Sequence, residues 1–312
     1  MIAQVFSFVG YRKGKQIFMN KDHFKSDSLL LIAALVWGFA FVAQRIGMDF
    51  VGPFTFTGIR FALGSLVLVP FMIKMQKSKP NDRSQAPSFK NLLAGSALAG
   101  AILFGGASLQ QMGMVYTSAG KAGFITGLYV IIVPMIAIFY KKKSQVGTWI
   151  GAILATVGLY LLSVTAGFEM EWGDLLVLIG AFLWALHVTV IGWLAPKHDA
   201  SHLAFLQFII CALLSLLTAG IFETITWQGL KGGAWAILYG GLLSVGIGYS
   251  LQVVAQKNAH PAHAAIIMSL EAVFAALGGW MILDERFTTR GLLGCTLMLL
   301  GMVFSQLKIK KL

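Results

Sequence analysis

The sequence predicts an all-α integral membrane protein with ten transmembrane helices, arranged as two inverted five-helix repeats. Three observations carry that reading. First, of 312 residues 57% are hydrophobic and 12% charged, about half the charge share of a soluble domain. Second, ten apolar runs follow one another, near 29–49, 54–73, 89–113, 119–140, 146–164, 174–195, 202–222, 233–256, 262–283 and 291–307. Each is close to the roughly 20 residues that a bilayer-spanning helix needs. Third, the chain repeats itself. DSLLLIAALVW, from Asp27 to Trp37, returns as DLLVLIGAFLW from Asp174 to Trp184, at an offset of 147. LQQMGMVYTSAGKAG from Leu109 is answered by LQVVAQKNAHPAHAA from Leu251, which sets Gln110 over Gln252 and Ala122 over Ala264.

These blocks divide the chain into a tail over 1–28, a first repeat over 29–164 and a second over 174–307. Five spans is an odd number, so the second copy enters the membrane from the opposite side. The basic tail (Arg12, Lys13, Lys15, Lys21, Lys25) has no small-residue cleavage site after a short apolar start, and reads as cytosolic sequence; Met19 is a candidate start codon.

Orientation follows from lysine and arginine. With the amino terminus inside, 18 of these residues fall in inner segments, 5 in outer ones, and Arg60 lies within a span. Both termini are therefore expected in the cytosol of a multi-pass plasma-membrane protein, a bacterial inner membrane in the simplest case. Lys141–Lys143 ends the fourth run, whereas Asp284, Glu285 and Arg286 end the ninth, as inversion requires. The net charge of +12 is dispersed in short clusters between apolar runs. That suits anionic lipid headgroups, and no nucleic acid is expected.

Small residues mark close helix contacts. Gly240, Ser244 and Gly248, and more loosely Gly95, Ala99 and Leu103, let the backbones of the eighth and third helices approach neighbours. Gly151 and Gly158 in the fifth helix match Gly294 and Gly301 in the tenth. These two nearly non-polar helices are expected at the lipid side, in a structural or dimer-forming role, and the protein as a monomer or homodimer. The tract FETITWQGLKGG after the seventh run reads as a loop.

Polar side chains within the hydrocarbon need a partner or a watery cavity. Arg60 lies roughly 10 Å below the outer surface and Glu271 roughly 13 Å from the inner one, at 1.5 Å per residue. On this arithmetic both can line one cavity. Arg60 is a snorkelling residue, an anchor for an anionic substrate group, or a partner of Glu271. A mid-membrane carboxylate such as Glu271 is neutralised by a cation or kept protonated, and both states can couple to transport. Trp37 and Trp184 come near the midplane, as core packing or as aromatic walls. Gln44, Gln111, Tyr129 and Gln252 add hydrogen-bonding capacity, as do Gln110, Thr126, Tyr249 and Ser250. His187 joins the candidate substrate-binding set, its alternative being a hydrogen-bonded packing residue. The pairs His198 with His202 and His260 with His263 have ligand-like spacing but lack a cysteine or carboxylate set, so no metal is expected. No GxSxG, HExxH or GxxxxGK[ST] motif occurs, and neither cofactor nor catalytic residue is expected.

The runs WGFAFVAQRIGM, GPFTFTGIRFALGSLVLVP, SAGKAGFITGLYVIIVP and LEAVFAALGGWMILDERFTTRGLLGCTLMLLGM, in that order, resemble the EamA-type permeases of the drug/metabolite transporter superfamily. The resemblance runs from about Ser28 to the end. It implies ten helices in two inverted repeats, a cavity lined by the first four helices of each, and the export or import of small metabolites. It implies correspondence of Trp37, Arg60 and Glu285 with the family's first-helix tryptophan, second-helix arginine and ninth-helix closing acid. One departure stands out: where the family often has Glu-Pro, Glu271 is followed by Ala272, so the ninth helix should kink less.

The functional expectation is a secondary transporter moving a small polar or amphipathic metabolite, such as an amino acid or drug, by alternating access, with protons as a candidate coupling ion. The alternatives are a membrane-embedded enzyme acting on a lipid or quinone, which needs paired acid and base groups at one depth, and a channel, which needs a ring of like groups along a pore.

Overall fold

A computed structural model describes residues 21–78, 89–139, 145–163, 171–282 and 289–306, and every regular element among them is helical. In chain order these are α1 (Lys21–Gly47), α2 (Pro53–Ser78), α3 (Phe89–Gly113), α4 (Ala119–Gly127), α5 (Tyr129–Phe139), α6 (Val146–Ser163), α7 (Trp172–Leu194), α8 (Ala200–Phe222), α9 (Trp227–Gly232) and α10 (Ala234–Leu238). A π-helical segment, Tyr239–Tyr249, follows, then α11 (Ser250–Ala255), α12 (Pro261–Met268), α13 (Glu271–Ile282) and α14 (Thr289–Gln306).

Eight helical stretches are long and apolar enough to cross a membrane, and α6 and α14 are two shorter apolar helices. One stretch joins α4 to α5, another α10 to α11 through the π segment, and a third α12 to α13. The ten apolar runs thus each coincide with a helix or a broken helix. Helix α1 starts eight residues earlier than position 29, since Lys21–Asp27 continues its turns. The first twenty residues, Lys141–Lys143, Glu169, Asp284–Arg286 and the carboxy-terminal lysines lie outside the described residues.

Local sequence sets the helix starts. Ser118 caps α4 by accepting from the Lys121 amide, and Asp199 caps α8 by accepting from Ser201 and His202. His260 caps α12 with Pro261 in its first turn. The tract after α8 is not all loop. Thr226 caps α9 within it, and the Glu223 carboxylate accepts from the Phe54 and Thr55 amides at 2.8 and 2.7 Å, closing the amino end of α2. Sequence pattern gave no sign of this, because the cap comes from a residue 168 and 169 positions away.

The two halves interleave. Helix α2 packs chiefly on α8 and the π segment, α3 on α7 and α8, and α1 on the π segment, α11 and α13. The main buried apolar cluster accordingly draws on both halves, with Leu30, Phe61 and Leu103 beside Ile191, Phe208 and Val253. Helices α6 and α14 pack on each other. A Cβ on Gly151 would lie 2.6 Å from the Gly301 carbonyl oxygen, and one on Gly158 would lie 2.5 Å from that of Gly294. The matched glycines therefore serve an antiparallel contact between α6 and α14 inside one chain. The third and eighth spans also use their small residues against other partners: Gly100 meets α8, whereas Gly248 meets Trp37.

The ninth span is interrupted even though it lacks a proline after Glu271. It breaks at Ser269–Leu270, where Leu270 and Ala272 donate to carbonyls three residues back and the Ser269 hydroxyl bonds the Ile266 carbonyl. The fourth span breaks in the same way at Leu128, whose amide bonds the Ile125 carbonyl. Leu128 and Leu270 are equivalent at the offset of 142 that aligns the repeats. A short run of tighter i→i+3 bonds, rather than a proline, makes each interruption.

Candidate functional site

Both breaks open onto the same place. The residue that starts the second half of each broken span is Tyr129 in one and Glu271 in the other. These side chains lie beside each other in a central cavity, and neither the Tyr129 hydroxyl nor Glu271 Oε1 has a hydrogen-bond partner among the described residues. Gly38 brings α13 close: a Cβ there would lie 2.8 Å from the Glu271 carbonyl oxygen.

Trp37, Gln44, Arg60, Tyr129, Trp184, Gln252 and Glu271 all line this cavity, together with Gln110 and Tyr249. Two of the expected residues stand outside the lining. Gln111, fully buried, donates from Nε2 to the Gln44 carbonyl at 3.2 Å. His187 is behind the wall, sharing a 2.9 Å hydrogen bond with Gln207 and meeting the Trp184 and Tyr249 rings edge-on. The neighbour of Gln111 takes the place in the cavity. One residue is 100° of helix, so Gln110 faces in where Gln111 faces α1.

Gln110 ties the wall together. Its Oε1 accepts from Trp184 Nε1 at 2.8 Å and from the Thr126 hydroxyl at 3.3 Å, and its Nε2 donates to Gln44 Oε1 at 3.0 Å. By repeat equivalence Trp37 would bond Gln252 as Trp184 bonds Gln110. It does not. Trp37 Nε1 donates instead to the Ser244 carbonyl at 3.1 Å, inside the π segment, whose wider turns displace the backbone carbonyls from α-helical positions. Gln252 Oε1 is left without a partner.

Tyr249, which ends the π segment, is the aromatic hub. Its ring centroid is 4.7 Å from that of Trp37, 5.9 Å from Trp184, 5.7 Å from Phe61 and 6.1 Å from Phe208. The two tryptophans are thus walls of one site, bridged by a tyrosine that the repeat pattern did not mark.

Arg60 is 1% exposed, with its guanidinium carbon 5.4 Å from the Phe56 ring centre and 5.2 Å from that of Phe61. Its Nε and Nη2 have no hydrogen-bond partner, and no carboxylate of the described residues comes within 4.0 Å of it. Arg60 and Glu271 share the cavity without forming an ion pair. Its equivalent in the second repeat, at the offset of 147 that also aligns Phe61 with Phe208, is Gln207. The cavity is therefore symmetric in its aromatic walls and asymmetric in charge. Cations at an aromatic face gain about 0.5–2 kcal/mol, less than the several kcal/mol by which a buried ion is desolvated. The aromatic contacts alone therefore do not offset the desolvation of Arg60, and an anion on the cavity side would.

The sequence profile of the EamA-like transporter family matches this chain twice, over residues 24–164 and 171–306. The chain belongs to that family. Relatives include an uncharacterized transporter of Archaeoglobus fulgidus, 30% identical across 91% of this chain and 86% of its own. Another is the uncharacterized transporter YoaV of Bacillus subtilis, 25% identical across 87% and 93%. A protein of known crystal structure superimposes with a TM-score of 0.73 over 90% of this chain and 96% of its own, at 17% identity, a likeness of fold. As an EamA-like protein the chain is a multi-pass membrane transporter, and its two profile matches meet around the cavity just described.

Proposed function

We propose that this EamA-like protein is a secondary transporter whose substrate is a small amphipathic metabolite bearing an anionic group, carried by alternating access about the central cavity. Helices α6 and α14 complete ten spans, both termini are cytosolic, and the protein resides as a monomer or homodimer in a bacterial inner membrane. The observation that carries the reading is Arg60: a buried cation with unpartnered nitrogens at the wall of a mid-membrane cavity.

The other groups fit the same ligand. Glu271 Oε1 and Gln252 Oε1 are unpartnered acceptors suited to an ammonium or other donor, and the Trp37, Tyr249 and Trp184 rings suit a flat apolar portion. An amino acid, or a drug with the same three features, meets all of them. The centre of a water-sized sphere can move through about 40 Å³ of the cavity, space for roughly three waters. Admitting a metabolite requires the helices to part, and the breaks beside Tyr129 and Glu271 are where spans can bend, as discontinuous helices at a midplane site do in other transporters.

The test is a thermal-shift screen of the purified protein against a metabolite library, followed by uptake and efflux of the best hit in liposomes with and without a pH gradient. Stabilisation by anionic or zwitterionic solutes that is lost in Arg60→Ala and kept in Lys197→Ala supports the reading. A best hit that is purely cationic, or indifferent to Arg60→Ala, overturns it.

A further inference from the structure

At the two ends of the bundle the repeats are tied by equivalent ion-pairing contacts. Lys121 Nζ, in the first turn of α4, lies 2.6 Å from Asp174 Oδ2 at the start of α7. His263 Nε2, in the first turn of α12, lies 2.8 Å from Asp27 Oδ1 near the start of α1. Lys121 and His263 are the same repeat position at the offset of 142, and Asp174 and Asp27 are the same position at 147. Each contact therefore joins a fourth-helix residue of one repeat to a first-helix residue of the other. Inversion sets one pair at each membrane face.

The surroundings differ in chemistry. Asp174 is fully buried and also accepts from the Thr117 hydroxyl at 2.7 Å and the Glu171 amide at 2.8 Å, within a capping box. A lysine beside a carboxylate stays charged throughout the physiological range. At the other end His263 Nδ1 meets the Ser305 hydroxyl of α14 at 2.9 Å. Besides α1 and α14, α12 packs on α5, α6 and α7. The parts of those helices nearest this end, 135–139, 146–155 and 188–194, carry no ionisable side chain. Among the described residues Asp27 is the charged group in contact with His263; the ionisable groups next to this pair in sequence are Lys25, exposed on α1, and His260, which caps α12. Histidine is the side chain whose charge ordinarily changes between about pH 5 and 8.

We propose that Lys121–Asp174 and His263–Asp27 are the two latches of the transport cycle, one closing each membrane face, and that protons reinforce only the histidine latch. The proposal rests on the alternating-access reading above. When the bundle parts at one face, the broken spans swing away from the first helix of the other repeat, so the contact there must open while its equivalent holds. Protonating His263 adds a charge opposite Asp27 and favours closure of that face; deprotonation leaves only a hydrogen bond from a neutral imidazole to the Asp27 carboxylate, which opens more readily. Transport direction would then respond to pH at one face without any titration of the cavity.

Hydrogen–deuterium exchange of the full chain in lipid nanodiscs reads both ends at once and needs no substrate. Lys121→Met should raise exchange at least several-fold at 114–122 and 171–176 while lowering it at 24–34 and 260–268. Asp27→Asn should do the reverse, and Lys121→Arg should match the parent protein. After correction for intrinsic rates, moving from pH 8 to pH 6 should protect 260–268, and His263→Gln should abolish that response. His263→Gln keeps a hydrogen-bonding side chain and serves as the second variant if Asp27→Asn does not fold. Loosening confined to the mutated end, with no tightening at the other, overturns the latches, as does a pH response that survives His263→Gln. Because no solute is involved, reciprocal exchange in a protein that moves nothing in liposomes would sink the transport reading alone. Transport without reciprocity would sink the latches alone.

Discussion

Tyr129 and Glu271 are the same residue of the two repeats, each the first position after a break in its span, and they lie side by side in the central cavity. Duplication put two equivalent positions near the pseudo-twofold axis, and divergence made one a phenol and the other a carboxylic acid. A carboxyl there can exchange a proton during a transport cycle; a phenol can only donate to or accept from it.

Glu271→Gln tests that division of labour. If Glu271 carries the coupling proton, the variant should still be stabilised by the best ligand but should lose all acceleration of transport by a pH gradient, since an amide stays neutral at every pH. Tyr129→Phe should keep the acceleration. Full-rate, normally pH-dependent transport by Glu271→Gln removes the residue from the mechanism.

Arg60→Met should separate stability from function. Removing a buried cation whose nitrogens lack partners should leave the ligand-free protein unchanged or more stable, by about 1–2 kcal/mol or a few degrees in melting temperature. The ligand-induced shift should vanish. A less stable ligand-free variant would show that Arg60 is compensated by something other than substrate.

Gln110→Leu should cost about 1–3 kcal/mol, because it strands the buried Trp184 Nε1 and disconnects Thr126 and Gln44 at one stroke. It should also weaken ligand binding, since Trp184 is a wall of the cavity. Gln111→Leu, which removes a bond to a backbone carbonyl outside the lining, should spare binding. Equal effects on ligand affinity from the two substitutions would argue against Gln110 as the residue that positions the tryptophan.

Gly158→Ala should destabilise by about 1–3 kcal/mol, because the new methyl carbon meets the Gly294 carbonyl at 2.5 Å and the backbones of α6 and α14 must separate. Gly220→Ala in α8 is the control. Nothing lies within 4 Å of a Cβ at Gly220, and alanine favours a helix interior by about 0.5–1 kcal/mol. Thermal unfolding in the same detergent ranks the two; a Gly158→Ala protein as stable as the parent would deny the close crossing.

Glu223→Gln should loosen the start of α2. It keeps the shape of the cap but removes the charge that two amides share, at about 1 kcal/mol. Faster amide exchange at Phe54 and Thr55 alone is the expected signature, and an unaltered rate would show the carboxylate to be dispensable.

The membrane class, the repeat and its inversion were written in the sequence, because a bilayer imposes length and apolarity on every residue of a span. Seven of the nine expected cavity residues reach the lining for the same reason, since polar groups at that depth have few places to go. What only the tertiary structure decided is which of two adjacent glutamines faces in, that Trp37 bonds a π-segment carbonyl instead of Gln252, and that Tyr249 joins both tryptophans. It also decided that Asp27 and Asp174, visible in the sequence as the opening residues of a repeat, each reach a basic side chain of the opposite repeat. Such facts depend on helix rotation and on contacts between residues 53 to 236 positions apart. Local pattern does not encode those distances, whereas hydrophobic period and span length are local by nature.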